Sequence, residues 1–349
     1  MQERRETRQD EVKEIIEKSF IFDAHSDMLN SVIQKHEKGE RGVVKREHMP
    51  RLSRGGIKGQ IFSIFVEVRY RPEKTLKRAL ELLDAMHVEL ETSVDLMLCT
   101  SGNDFVKAWK QNDLAVLIGM EGIEPLESQS MNESMALLRS FYRQGVRCFG
   151  LTWQSRNLAA DGAEEDATKG GLTRFGSDLV SEVERMHAVI DVAHISTQGF
   201  YDVLKITENP IICSHTACRA LCDTPRNLTD DQIMKLAEKG GVMGVGFFPT
   251  IVDDKNPSID RVLDHIDHVT DLVGADHVGF GADFSDYIQW SSAETGEQYF
   301  KKKLVTRGLE NVTKMPNLVS GMIKRGHSKQ EIKKFLGENF LRVFKKVLR

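Results

Sequence analysis

The sequence predicts an α/β protein, a single (β/α)8 barrel of the TIM type. Three observations predict it. Eight apolar segments of strand length recur along the 349 residues, most of them separated by helical patterns. The segments are apolar on both faces, as the strands of a buried parallel sheet are when crossover helices cover them. Polar side chains stand at the ends of these segments, and in such a barrel the C-terminal strand ends meet at one mouth.

Residues 5–19 read as a helix feeding the first strand, 20–25. A polar loop follows with His36 and His48, both expected as solvated surface histidines. The glycine-rich Arg54–Gly59 leads into the second strand, Gly59–Val68. Leu76, Leu80, Leu83, Met86 and Leu90 then recur at helical spacing within 73–97. The third strand is Leu114–Glu121, followed by a helix over 131–143. The fourth is Val146–Trp153, followed by a polar loop to about residue 172. A helix over 176–187 leads to the fifth strand, Ala188–His194, and a helix from near Thr197 leads to the sixth, Pro210–His215. Thr229-Asp-Asp-Gln232 is a capping box, whose hydroxyl and amide each satisfy a free backbone donor of a new helix. Gly241–Phe248 is the seventh strand, a helix spans 258–273, and His277–Asp283 is the eighth strand. Helices over about 309–325 and 328–347 close the chain. No linker or composition break divides it, so residues 1–349 read as one domain with the terminal helices packed on the barrel.

Composition narrows the function. The chain is 40% hydrophobic and 29% charged with a formal net charge of −4, which gives no electrostatic case for nucleic acid or an anionic membrane. The Lys301–Lys303 run lacks interleaved aromatics and reads as a solvated face. The charged N-terminus shows no apolar signal region, and no apolar stretch is long enough to span a bilayer. Cys99, Cys148, Cys213, Cys218 and Cys222 are odd in number and lack CxxC spacing, so they read as free thiols in the cytoplasm.

The strand ends carry the chemistry. His25 and Asp27 are two residues apart in an extended segment, so both side chains leave one face. Glu121 ends the third strand, His194 the fifth, His215 the sixth and Asp283 the eighth. A histidine closing one apolar strand is an ordinary turn residue, and an aspartate there an ordinary helix cap. Repetition at five strand ends points to metal instead. Three histidines with two or three carboxylates exceed what one zinc takes from protein. Two metals roughly 3.5–4 Å apart, sharing a carboxylate, account for them, with Glu121 as the bridge.

These residues resemble the renal-type, or membrane, dipeptidases, binuclear zinc peptidases related to the amidohydrolase barrels. The likeness runs from about residue 20 to 346. It includes Asp23-x-His25-x-Asp27, Gly119-Met-Glu-Gly122, Gly171-Leu-Thr-x-Phe-Gly176, Asp191-Val-Ala-His-Ile-Ser196 and Ser214-His215. Arg226-Asn227, Gly279-Phe-Gly-x-Asp-Phe284 and Glu338-Asn-Phe-Leu-Arg-Val-Phe344 complete it. The resemblance implies two Zn2+ per chain, with His25 and Asp27 on one, His194 and His215 on the other, and Glu121 between them. It implies that Arg226 grips the free carboxylate of a dipeptide and that Asp283 contacts the substrate amine and moves a proton. Metal-activated hydroxide would attack the scissile carbonyl, and a homodimer is the implied assembly. One position departs: where members near the mammalian enzyme have Thr-His after the fourth strand, this chain has Thr152-Trp153-Gln154. Trp153 offers one indole N–H or an apolar pocket wall, and it cannot carry a charge. A metal-dependent amidohydrolase acting on a non-peptide amide or lactam, and a barrel that binds a ligand without turnover, are the alternatives.

Overall fold

Nine short parallel strands carry the architecture in the computed structural model, which describes residues 2–288 and 305–349. They are β1 (Ile21–Asp23), β2 (Ile57–Phe65), β3 (Leu96–Leu98), β4 (Leu114–Glu121), β5 (Val146–Gly150), β6 (Val189–Asp191), β7 (Ile212–Thr216), β8 (Val242–Val245) and β9 (Val278–Phe280). Eight of them pair in the order β1-β2-β4-β5-β6-β7-β8-β9, and helices alternate with them. Ala24 N–H donates to Phe280 O at 3.1 Å, so the two ends of the sheet meet and the barrel is nearly closed. The fold is the expected single (β/α)8 barrel.

The ninth strand, β3, is an addition. It pairs with Leu114–Val116 of β4, on the flank that β5 takes from Ile118 onward. The segment 73–97 therefore divides: a helix covers Thr75–Thr92, and Leu96–Leu98 is strand. A further helix, Gly102–Gln111, was not foreseen. The Asp104 carboxylate caps its start, accepting the Thr100 and Ser101 N–H groups at 3.0 and 2.8 Å.

Strand alternation separates two apolar clusters. Successive side chains leave opposite faces of a strand. Ala115 and Leu117 join one cluster with Phe22, Ile61, Cys148, Val189, Ile212 and Val242, whereas Val116 and Ile118 join the larger one beneath the surrounding helices. The C-terminal helix, Asn339–Val347, contributes Phe340 and Phe344 to the first cluster. Phe344 meets Phe22 edge-on at 5.0 Å between ring centroids and stacks on Phe105 at 4.9 Å. Gly279 makes room for this packing, since a Cβ there would lie 2.5 Å from the Phe340 ring.

Other expectations are refined. The last helical stretch is interrupted by a π-turn at Lys334–Glu338 between Lys329–Lys333 and Asn339–Val347. The polar loop expected after the first strand is largely helical, over Met28–His36 and Met49–Gly55, and His36 and His48 are not solvated. His48 is 4% exposed and packs edge-on against Tyr287, while His36 Nε2 lies 2.7 Å from the buried Glu89 carboxylate. The Thr229/Gln232 capping box forms. All five cysteines are buried and unbridged. No helix among the described residues is long and apolar enough to cross a membrane. The Lys301–Lys303 run lies outside the described residues.

Candidate metal centre

The barrel brings the strand-end donors together. Glu121, the last residue of β4, lies at the middle of the group. Its Oε1 is 2.9 Å from His194 Nε2 and 3.6 Å from His215 Nε2, while its Oε2 is 3.5 Å from His25 Nε2. His25 Nε2 is in turn 3.6 Å from Asp27 Oδ1 and 3.9 Å from Asp283 Oδ1. His194 and His215 approach to 2.8 Å between their Nε2 atoms. Two overlapping donor sets result, His25/Glu121/His215 and His25/Asp27/Asp283, each with ligand atoms within 4.8 Å of one another.

Supporting side chains aim these donors. Ser214 Oγ lies 2.7 Å from His215 Nδ1, and Ser63 Oγ lies 3.3 Å from His25 Nδ1. Partners on Nδ1 fix the rings and leave Nε2 for the centre. Two buried aspartates hold the strand ends in the same manner. Asp23 Oδ1 accepts the N–H of His25 and of Ala282, and Asp191 Oδ1 accepts the N–H of Ala193 and of Ser214. Each carboxylate thus ties one donor-bearing strand end to the next. His194 and Asp283 have φ of 67° and 54°. A residue with a side chain in that region costs about 1–3 kcal/mol, strain that the surrounding fold must hold.

The electrostatics describe a cluster suited to a cation. Burial raises the Glu121 carboxyl well above its usual range, and Asp27 and Asp283 add to this against His25. Burial and Asp27 raise Asp283 as well. Burial works against a charge on His25, yet Glu121, Asp27 and Asp283 hold its pKa up at about 10. Burial pushes His194 and His215 well below the usual histidine range, which leaves them neutral. Asp27 Oδ1 and Glu121 Oε2 are buried without a hydrogen-bond partner. Neutral imidazoles and carboxylates are the donors zinc takes, and a divalent cation would offset crowded acids that now compete for protons. The residues fit a metal.

Above the cluster is a cavity of about 270 Å3, reached by Asp27, Glu121, His194 and Asp283. Phe65, Trp153, Phe248 and Ile251 supply apolar wall, and Arg226 lines it too. Arg226 is 9% exposed; its Nη2 donates to His215 O at 2.6 Å, and its Nη1 is buried without a partner. All eight expected site residues therefore gather here except that His25 and His215 lie behind the cavity wall. Sequence reasoning gave no role to Asp23, Asp191, Ser63 or Ser214. The first two stand inside the matched motifs, but their partners are backbone amides, which no residue pattern displays.

Comparison with known proteins places this arrangement among relatives. A family model for the membrane dipeptidases, peptidase family M19, matches residues 9–349. The chain is 32% identical over 311 residues to dipeptidase verJ of Clonostachys rogersoniana, covering 86% of this chain and 75% of that protein. It is 29% identical over 373 residues to an uncharacterized dipeptidase of Schizosaccharomyces pombe, covering 99% and 85%. An amidohydrolase from Pseudomonas aeruginosa superposes with a TM-score of 0.82 at 22% identity, covering 97% of this chain and 99% of that one. A metallopeptidase from Rhodobacter sphaeroides, liganded with a phosphinate mimic of the dipeptide L-Ala-D-Ala, does so at 0.81 and 22%, covering 95% and 100%. The family match runs through every strand and every donor of the cluster, and on it the chain belongs to the membrane dipeptidases of peptidase family M19 and is a metallo-dipeptidase.

Proposed function

We propose that the chain is a binuclear zinc enzyme that cleaves dipeptides bearing a free C-terminal carboxylate. In this reading His25 and Asp27 hold one zinc, His194 and His215 hold the other, and Glu121 bridges them. The observation that carries it is the division of Glu121, one oxygen toward His194 and His215 and the other toward His25. Bound there, the ions would lower the pKa of a nucleophilic water and polarise the scissile carbonyl.

The rest falls to this chain's own side chains. Arg226 offers an unpartnered Nη1 at the cavity, and a planar guanidinium suits a carboxylate. Its bond to His215 O ties the grip on the substrate to the donor cluster, so orientation of the peptide is set by one rigid link. Asp283 reaches the cavity with a carboxyl raised by burial, a group that holds and delivers a proton to the leaving amine. Five buried thiols accord with the cytoplasm, and sedimentation should give a homodimer.

Arg226→Met is the test. It should chiefly raise KM for free dipeptides, by the equivalent of about 2–5 kcal/mol. Amidating the substrate's C-terminus should cause a similar loss in the wild type and little further loss in the variant. Fully additive losses would remove Arg226 from the carboxylate site. Trp153 favours a wider substrate range, because a neutral indole in the cavity wall suits uncharged amides or lactams. If zinc-loaded wild type and Trp153→His both leave a panel of L-L and L-D dipeptides intact, hydrolysis of a non-peptide amide replaces the proposal.

A further inference from the structure

Behind the cavity wall a cation is stacked on the ring that faces the site. Arg71 places its guanidinium carbon 5.3 Å from the Trp153 ring centroid and 5.4 Å from that of Phe65. The two rings are 5.2 Å apart and inclined by 59°, and both line the cavity. The guanidinium is pinned. Its Nε and Nη2 donate to Val66 O at 2.9 and 2.7 Å, and its Nη1 donates to Glu124 Oε1 at 2.9 Å. Both charged side chains are about 15% exposed, too little to be an incidental surface pair. Glu124 is anchored next to the bridging carboxylate's own turn: a Cβ on Gly122 (φ +84°) would lie 2.3 Å from Glu124 Oε2 and 3.2 Å from Trp153 N. The chain segments carrying Glu121 and Trp153 therefore meet on the Arg71–Glu124 pair.

A structural filler at this position would more simply be apolar, since desolvating a guanidinium is costly. What the charge adds is polarisation. A cation on the face of an indole is attracted to its π-cloud and draws electron density from the ring, which makes the N–H a stronger donor. Trp153 is also the ring next to His194, with centroids 6.4 Å apart.

We propose that Arg71 is a positioning residue for the reaction: stacked on Trp153, with its charge balanced by Glu124, it fixes that ring in the cavity wall and strengthens the indole N–H as a donor to the anionic tetrahedral centre. This rests on the dipeptidase reading above. The consequence is selective: Arg71 should matter for binding a tetrahedral anion and hardly matter for binding a planar, uncharged scissile group.

The test uses the zinc-loaded full chain and two non-hydrolysable probes, a phosphinate pseudo-dipeptide and the matching (E)-alkene isostere, with affinities from calorimetry. Glu124→Gln is the background, so that removing Arg71 leaves no unpaired buried carboxylate. Adding Arg71→Met should weaken the phosphinate about 10-fold and the alkene less than about 3-fold, at unchanged zinc content. Arg71→Lys, which keeps the charge without the planar stack, should fall between. Trp153→Phe should weaken the phosphinate too, and the combined Arg71→Met/Trp153→Phe change should be no weaker than the worse of the two. Equal loss on both probes would reduce Arg71 to a structural prop and overturn the proposal, as would independent losses that multiply. A wild type that binds neither probe with both metals in place refutes the dipeptidase reading, and the role of Arg71 falls with it. Tight phosphinate binding that survives the loss of Arg71 refutes only the latter.

Discussion

Asp191 accepts two backbone amides on one oxygen, and the strand ends it joins carry His194 and His215. Both histidines depend on an aspartate that touches neither ring. Asp191→Ala would strand two buried N–H groups, each costing about 1–3 kcal/mol. We expect the protein to lose stability and to drop from two zinc ions per chain toward one, by elemental analysis. His194→Ala should remove about one zinc without that loss of stability. Retention of both metals in Asp191→Ala would remove the aspartate from any positioning role. At this scale legibility followed side-chain chemistry. His25, Asp27, Glu121, His194, His215 and Asp283 were readable because a polar side chain ending an apolar strand is conspicuous. Asp191 and Asp23 sit at strand ends as well, but their function lies in hydrogen bonds to main-chain atoms of a neighbouring strand, as with Ala282 and Ser214. Arg71 was invisible for another reason, since its stacking partner Trp153 comes from a distant segment.

Among the elements, the C-terminal helix closes the apolar cluster that the barrel strands share, where the sequence showed only a helix ending the chain. Phe344 is fully buried between Phe22 of β1 and Phe105 of the helix Gly102–Gln111. Phe344→Ala should cost about 3–5 kcal/mol, the transfer energy of the ring plus the cavity it leaves. A chemical denaturation midpoint should fall while zinc stoichiometry of the folded protein holds at two, because the donors lie at the strands' other ends. Loss of metal in parallel with stability would mean that the two ends are mechanically coupled. The helices Met28–His36, Met49–Gly55 and Gly102–Gln111 and strand β3 were among the elements missed. Leu96–Leu98 is an apolar run only three residues long, and the leucines of 73–97 made it continuous with the preceding helix. The long, fully buried Leu114–Glu121 was read to the residue. Other strands were shorter than their apolar runs, because a buried residue such as Ala193 gives its N–H to the Asp191 side chain and not to a neighbouring strand.

The whole molecule sets a greasy, aromatic-packed end against a charged one, and the charged end governs how it responds to metal and pH. In the metal-free protein His25 titrates near 10, raised by Glu121, Asp27 and Asp283 against the effect of burial, so it carries a proton at neutral pH. Glu121 is raised well above its usual range. A raised histidine stabilises the folded state below its unfolded pKa of about 6.5 and loses that contribution as pH climbs toward 10. A raised carboxyl acts in the same direction, its contribution falling above about 4.3. Over pH 6 to 9 these groups pull metal-free stability down. His194 and His215, held neutral by burial, pull it up only until the unfolded histidine range is passed, so the net decline should show above about pH 7.5. Zinc needs these donors deprotonated, so its apparent affinity should rise over the same interval, about tenfold per pH unit for each proton displaced. Since a ligand that binds only the folded state stabilises it by mass action, the thermal shift on adding zinc should widen from pH 6 to 8. Calorimetry of zinc loading in buffers of different ionisation enthalpy should show release of at least one proton per chain at pH 7. His25→Ala should release fewer. Zinc affinity that stays flat across this range would mean that His25 does not hold its proton against the metal, and with that the electrostatic account of the cluster would fail.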